Sequence, residues 1–390
     1  MIHNSVLLVL FLVGIEAAVL YISSRPLLKK YFKFIPPVFW IYFLPMLAST
    51  FGIIDSNSPV YAVISSSLLP AALVLLLLST DIRAILKLER PALIMMFAGS
   101  LGIMVATPLA FYLAKHWIGP SMWSGFGALS ASWIGGSANM VAVKEALGTP
   151  DAVFTPMVIV DTVVPYVWMG LLVIAAGFAP AYDRWNGSSK EVLDSLNRKI
   201  QDSACAKQEL FDPRSKALII VTAVCGAIAS YWLAKYMPVS KQAITTYAWT
   251  IIVASLLGVI LSFTPVRRLE SHGASKFGYF VLYFVLTSIG ARASFSHIGP
   301  TVLLILAGFL IIIVHAIVLI VVGRLIRAPM FLLAVASQAN VGGVASAPVV
   351  AAIYEPGLAS VGLLLAIVGN ITGTYLGFIT GQLCHWASFH

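Results

Sequence analysis

Charged residues are scarce in this sequence. Asp, Glu, Lys and Arg together make up 10% of the 390 residues, whereas hydrophobic residues make up 60%. Soluble domains carry about 25% charged residues, so the composition excludes an ordinary soluble fold. The mean hydropathy of +0.95 agrees with that exclusion. We therefore expect an integral membrane protein whose main surroundings are the lipid bilayer.

Cysteine and enzyme motifs are also lacking. The three cysteines have neither zinc-ligand nor redox spacing, so neither a zinc site nor a disulfide framework is predicted. The sequence has no His-Glu-x-x-His run, no Gly-x-Gly-Asp run and no phosphate-binding loop, which makes an enzyme or a nucleotide-driven pump improbable. No basic-aromatic module accompanies the net charge of +9, so we expect no nucleic-acid partner and assign that charge to loops facing anionic lipid.

Long apolar stretches recur along the chain, and twelve of them are of membrane length. We predict an all-α polytopic membrane protein with about 11–13 transmembrane helices. The first stretch, residues 5–23, has no cleavage pattern and is predicted to be a retained helix rather than a signal peptide. One hydrophilic stretch divides the chain into a first half (1–178), a linker (179–216) and a second half (217–390). Within the linker, about 190–210 is predicted to form an amphipathic helix.

Two apolar stretches contain polar interruptions at matching positions. Residues 130–143 read SASWIGGSANMVAV, and residues 337–346 read SQANVGGVAS. Glycine costs about 1 kcal/mol against alanine in a helix, so a glycine pair favours local unwinding. The two pairs lie 207 residues apart (342 − 135), which indicates an internal repeat. A count of spans favours parallel halves, whereas the basic loops favour inverted halves, and we expect the inverted arrangement.

The residues around these interruptions resemble a known family. The run WIGGSANMVAV at 133–143, and SQANVGG at 337–343 with GNITGTYLG at 369–377, resemble the YjcL-like family of membrane proteins of unknown function. That family is similar to the superfamily of cation:proton antiporters, bile-acid:sodium symporters and sodium:glutamate symporters. The resemblance implies inverted repeats, with core and scaffold domains assembled from both halves and two broken helices that cross near mid-membrane. It also implies alternating access, often of the elevator kind.

The two interruptions are the predicted solute site. Two broken helices expose four helix ends, whose unpaired N–H and C=O groups can hold a carboxylate or ligate a cation. Neutral polar side chains add hydrogen-bonding groups at the same depth. The alternative is that these small residues only let helices pack closely. The predicted substrate-binding residues are Ser132, Gly135, Gly136, Ser137, Asn139, Gln338, Asn340, Gly342 and Gly343.

A coupling-ion site is predicted beside them. Ionisable groups inside membrane spans are functional hypotheses by default, and Asp161 lies well inside the sixth span. Its rival interpretation is a neutral, hydrogen-bonded Asp that joins two helices. We assign ion coupling to Asp161, Asn370, Ser130 and Ser346. The ion is either a proton on the Asp161 carboxylate or Na⁺ at Asp161 and Asn139.

Three other ionisable residues lie in predicted spans. His315 is a candidate proton relay, although a hydrogen bond to a neighbour is the preferred interpretation. Arg292 either reaches the membrane interface or faces an anionic solute. Glu16 is expected to face a helix neighbour or an aqueous edge.

These features predict a secondary active transporter. We expect symport of a small organic anion with Na⁺ or H⁺ as the only cofactor, because many neutral hydrogen-bonding groups suit an organic molecule. A monovalent cation:proton antiporter is the alternative, and a membrane receptor is a further one. We also expect a homodimer through scaffold helices in the bacterial inner membrane.

Overall fold

The structure, a computed structural model, describes residues 2–26, 32, 37–80, 85, 88–188, 213–239, 245–293 and 301–390. The amphipathic helix predicted at 190–210 lies outside these residues. The described residues are almost entirely helical, with one isolated β-bridge between Ile2 and Ile54. The predicted all-α class is confirmed.

Among the described residues, the first half and the start of the linker contain eight α-helices. They are α1 (Ser5–Ser24), α2 (Pro37–Thr50), α3 (Val60–Leu78), α4 (Arg90–Ile118), α5 (Trp123–Gly135), α6 (Ser137–Ala146), α7 (Asp151–Ala175) and α8 (Ala179–Asn186).

From Pro213 onward, the part of the chain that the structure describes contains seven α-helices. They are α9 (Pro213–Ala234), α10 (Thr246–Ser262), α11 (Ala274–Arg292), α12 (Thr301–Leu325), α13 (Met330–Val341), α14 (Gly343–Tyr354) and α15 (Ala359–Phe389).

The number of membrane-length helices is smaller than predicted. Among the described residues, eight helices are long and apolar enough to cross a membrane, or nine if the bent pair Thr246–Ser262 and Pro265–His272 is one span. The prediction of 11–13 also counted α2 and both interrupted stretches. Spanning a bilayer takes about 20 helical residues, whereas α2, α13 and α14 have only 14, 12 and 12 residues.

The chain divides into two compact units, each built from segments of both halves. Unit 1 comprises Met1–Ser79, Gly148–Thr162 and Glu209–Thr301, and unit 2 comprises Thr80–Leu147, Val163–Gln208 and Val302–His390. The division between the units falls within α7, after Thr162. The predicted core and scaffold roles of such units stay predictions.

Unit 1 is packed around α3. This helix contacts α9, α10 and α11, and glycines on those three helices allow the approach. A Cβ atom at Gly226 or Gly258 would lie 2.8 Å from a side-chain atom of Val74 or Leu77, respectively, and the backbone at Gly278 approaches Leu75 in the same way. The side of α3 that faces α11 is buried and includes the polar Ser65.

Unit 2 is packed around α15. This 31-residue helix contacts α4 and all four short helices, α5, α6, α13 and α14. In addition, α4 contacts both α5 and α13, and α5 contacts α13. Both polar interruptions therefore lie in one unit, against the same central helix.

Candidate functional site

Each glycine pair lies at a junction between two short helices. Helix α5 ends at Gly135 and α6 begins at Ser137, while α13 ends at Val341 and α14 begins at Gly343. The second glycine of each pair has positive φ, 84° at Gly136 and 63° at Gly343. This left-handed region favours glycine because a Cβ atom would be strained there.

The first glycine of each pair is required for a different reason. A Cβ atom on Gly135 would lie 2.8 Å from the Cα of Gly373, and one on Gly342 would overlap the side chains of Gln338 and Ser346. Gly136 and Gly343, by contrast, have room for a Cβ. The nearest atom would be in ordinary contact at 3.5 Å at Gly136, and no atom would lie within 4 Å at Gly343. The first glycine thus allows close packing, and the second allows the turn.

The helices that follow the two junctions begin without a side-chain cap. The N-cap residues are Gly136 and Gly342, which have no side chain to accept a hydrogen bond from the first turn of α6 or of α14. The first N–H groups of a helix have no intrahelical partner, and the helix dipole adds about half a positive charge there. Both junctions therefore present backbone groups that favour an anion.

The Asn139 side chain ties the first junction together. Its Nδ2 donates to the carbonyls of Gly135 (2.5 Å) and Asn370 (3.3 Å), and its Oδ1 accepts from the Thr374 hydroxyl (2.5 Å). The side chain is buried. Each amide hydrogen has an acceptor and the oxygen has a donor. Because these partners lie on α5 and α15, the carboxamide joins α6 to both helices.

The Asn340 side chain has the equivalent role before the second junction. Its Oδ1 accepts from the Ser100 hydroxyl (2.8 Å), and its Nδ2 donates to the carbonyls of Met96 (3.1 Å) and Ala336 (3.0 Å). Met96 and Ser100 lie on α4, so Asn340 fixes α13 to α4. Asn139 and Asn340 were both predicted to bind solute. That role stays a prediction.

His315 lies in a second buried chain of hydrogen bonds. Its Nδ1 is 2.8 Å from the carbonyl of Gly99, and its Nε2 is 2.9 Å from the hydroxyl of Ser337. A carbonyl only accepts, so Nδ1 carries the proton and donates. Ser337 accepts from the indole of Trp168 (2.8 Å) and is left to donate to Nε2. The arrangement fits a neutral imidazole that links α4, α12 and α13.

Gln338 and Ser346 meet across the second junction. The Gln338 Nε2 donates to the Ser346 hydroxyl at 2.8 Å, while the buried Gln338 Oε1 has no hydrogen-bond partner within the described ranges. A buried polar atom without a partner costs roughly 1–3 kcal/mol. This acceptor therefore has free capacity for a ligand, directly before α14.

The remaining predicted residues of the first junction differ in exposure. Ser130 is buried and donates to Gly127 within its own helix (2.8 Å), and Ser132 is buried with its carbonyl accepting from the Gly136 N–H. Ser137 and Asn370 are half-buried, and their side chains form no hydrogen bond with another described residue. The Asn370 Oδ1 lies beside Gly136. Ser137 and Asn370 are thus the side chains with free hydrogen-bonding capacity at this junction.

Two predicted residues belong to unit 1 rather than unit 2. Asp161 is half-buried on the part of α7 that lies in unit 1, whereas Asn139 lies in unit 2. The Na⁺ site proposed at this pair stays a prediction. Arg292 forms an ion pair with Asp151, with Nη2 donating to Oδ1 at 3.2 Å and Nε 3.1 Å from Oδ2.

Several partners of the predicted residues were not found by sequence reasoning. These partners form hydrogen bonds between helices that are far apart in the sequence, and no spacing of residues along the chain indicates such contacts. Thr374 lies in the run 369–377 that carries the family resemblance. The sequence signal that could have identified it is its hydroxyl, directly after Gly373. The other partners, for which no signal existed, are Met96, Gly99, Ser100 and Trp168.

These features define an integral membrane protein with several spanning helices and two polar helix junctions in one unit. The chain belongs to a family described as "Protein of unknown function (DUF819)", whose model matches residues 10–386. It is similar to "Uncharacterized membrane protein YjcL" of Bacillus subtilis (strain 168), with 27% identity over 351 residues. That match covers 85% of this chain and 86% of the relative. The predicted family resemblance is confirmed.

Proposed function

We propose that the protein is a secondary active transporter that carries a small organic anion together with Na⁺ or H⁺. The observation that carries the proposal is the pair of uncapped helix starts at Gly136 and Gly342, in one unit and against one central helix. Interrupted helices in corresponding halves of a membrane protein are the sequence pattern of transporter binding sites.

The chemistry of the two junctions favours an anion with hydrogen-bonding groups. The helix starts supply N–H donors, and the half-buried Ser137 and Asn370 supply a hydroxyl and a carboxamide at the first of them. Gln338 Oε1 supplies an acceptor at the second. A carboxylate that also carries a hydroxyl or an amino group would use both kinds of partner.

A monovalent cation:proton antiporter is the second candidate. The half-buried carboxylate of Asp161, inside α7, favours it. A charged group inside a membrane span costs about 2.5–3.5 kcal/mol on insertion scales, so an acid in such a position indicates a functional role such as ion binding. In either case we propose alternating access, in which unit 2 moves as a body in the inner membrane of a bacterium.

The proposed site is tested by removing its free hydrogen-bonding groups. Carboxylates from acetate to citrate are first screened for thermal stabilisation of the purified protein. For the carboxylate that binds, Ser137→Ala and Asn370→Ala should each weaken affinity about tenfold, as expected for loss of one hydrogen bond to a charged group. The melting temperature without ligand should stay unchanged, because neither side chain bonds another described residue.

The matched control is Ser66→Ala. The Ser66 hydroxyl is exposed on α3 and donates only within its own helix, to Val63. This variant should bind as the unmodified protein does. Full affinity in both Ser137→Ala and Asn370→Ala would move the solute site away from the first junction.

A further inference from the structure

Glu16 is a buried carboxyl group in the packed face of α1. The buried residues of this helix are Leu8, Leu12, Glu16 and Val19, which repeat at intervals of three or four and form one face. Glu16 has 0% of its surface exposed, although the opposite face of α1 is exposed to the surroundings. Of the two alternatives expected for Glu16, a helix neighbour or an aqueous edge, this conformation agrees with the helix neighbour.

Neither carboxyl oxygen of Glu16 has a hydrogen-bond partner among the residues that the structure describes. A buried ionised carboxylate requires several donors or a cation, because burial removes the hydration of the charge. Within the part of the chain that the structure describes, Glu16 has neither. A neutral carboxyl group is far less costly to bury, since only its dipole is removed from water.

The groups on the helices packed against α1 do not change this conclusion. Helix α1 contacts α2 and α11. Tyr283 on α11 is the titratable neighbour that interacts electrostatically with Glu16, and a phenol is neutral at physiological pH. These helices carry four other titratable or charged residues. The Tyr42 hydroxyl bonds Thr155, and Tyr279 interacts electrostatically with Glu270. Arg292 is paired with Asp151, and Lys276 lies at the start of α11.

We propose that Glu16 is a proton-binding site outside the helix junctions. In this conformation the carboxyl group holds its proton between α1 and α11. It loses the proton to water only when these helices separate enough to hydrate the carboxylate that forms. Any rearrangement in unit 1 that hydrates Glu16 would then release one proton per chain. This site does not depend on the proposed transport of an organic anion.

Infrared spectroscopy on the reconstituted full-length protein tests the proposal. Protonated carboxyl groups absorb at a carbonyl frequency that ionised carboxylates lack, and exposed acids are ionised at neutral pH. We expect the unmodified protein to show a band of about one protonated carboxyl per chain at neutral pH. Glu16→Gln should remove that band, and Glu355→Gln, at a half-buried acid after α14, should keep it.

Two results would overturn the proposal, one from the unmodified protein and one from the variant. Absence of the protonated band at neutral pH would do so. Loss of an ionised-carboxylate band in Glu16→Gln would also do so, because it would show that Glu16 is charged.

A pH series of melting temperatures gives an independent measurement. The unfolded chain releases the Glu16 proton near pH 4.3, whereas the folded chain retains it. Above that pH the unfolded state binds fewer protons, so the folding equilibrium constant of the unmodified protein should fall about tenfold per pH unit relative to Glu16→Gln, until the folded state also ionises. Parallel pH profiles for the two proteins would contradict a buried proton.

Discussion

Single side chains hold the two junctions in place. Asn139 lies three residues after its glycine pair and Asn340 two residues before its pair. Each forms three hydrogen bonds, and at least two of the three connect separate helices. A carboxamide suits this task because it offers two donors and an acceptor on one rigid plane. These residues therefore position the junction, and the groups left free beside them are the ones available to a solute.

Replacement of Asn139 should cost stability. Asn139→Ala leaves the carbonyls of Gly135 and Asn370 and the hydroxyl of Thr374 without this partner, in a buried setting. We expect a loss of about 2–4 kcal/mol, measured as a lower melting temperature in detergent. Ser130→Ala, which removes one hydrogen bond within α5, should cost about 1 kcal/mol or less. Equal melting temperatures for the two variants would contradict the positioning role.

Helices α5 and α15 approach each other through small residues. Glycines recur every four residues on α15, at 369, 373, 377 and 381, and face Gly127, Ala131 and Gly135 of α5. Residues four apart lie on one face of a helix, so both helices present a continuous small-residue face. In membranes, small residues allow backbones to approach closely and drive association through packing.

This packing predicts a clear difference between two glycine substitutions. In Gly373→Ala, the new Cβ would lie 2.7 Å from the Cα of Gly135, a backbone atom that has no room to shift. We expect a loss of about 1–3 kcal/mol. Gly170→Ala on α7 meets no atom within 4 Å and should be neutral or stabilising by up to about 1 kcal/mol. Thermal unfolding in detergent measures both, and a Gly373→Ala variant as stable as Gly170→Ala would contradict the close approach.

The glycines also show what the sequence could and could not predict. Helix boundaries at the glycine pairs were readable, because paired glycines in an apolar stretch oppose a continuous helix. Gly170 and Gly377, however, match under the 207-residue offset and yet differ in surroundings: Gly377 packs against Ala131, and Gly170 faces open space. Which face of a helix meets a neighbour is decided by tertiary packing. The hydrogen-bond partners of Asn139 and His315 were unpredictable for the same reason.

The whole molecule repeats one order of elements. In the described residues, each half supplies three α-helices, a long fourth helix, two short helices joined at a glycine pair, and a long helix after them. This order agrees with an internal repeat, while the inverted orientation and the crossing of broken helices near mid-membrane stay predictions. Both junctions lie in unit 2, so that unit contains all groups of the proposed anion site.

Uptake into proteoliposomes tests the central claim most directly. Radiolabelled carboxylates from acetate to citrate are offered to the reconstituted protein under an inward Na⁺ gradient, an inward proton gradient, and no gradient. The account predicts saturable accumulation of at least one carboxylate under one of the two gradients, abolished in the Ser137→Ala/Asn370→Ala double variant and retained in Ser66→Ala. Failure of every carboxylate to accumulate with folded protein, or equal accumulation in the double variant, would contradict it.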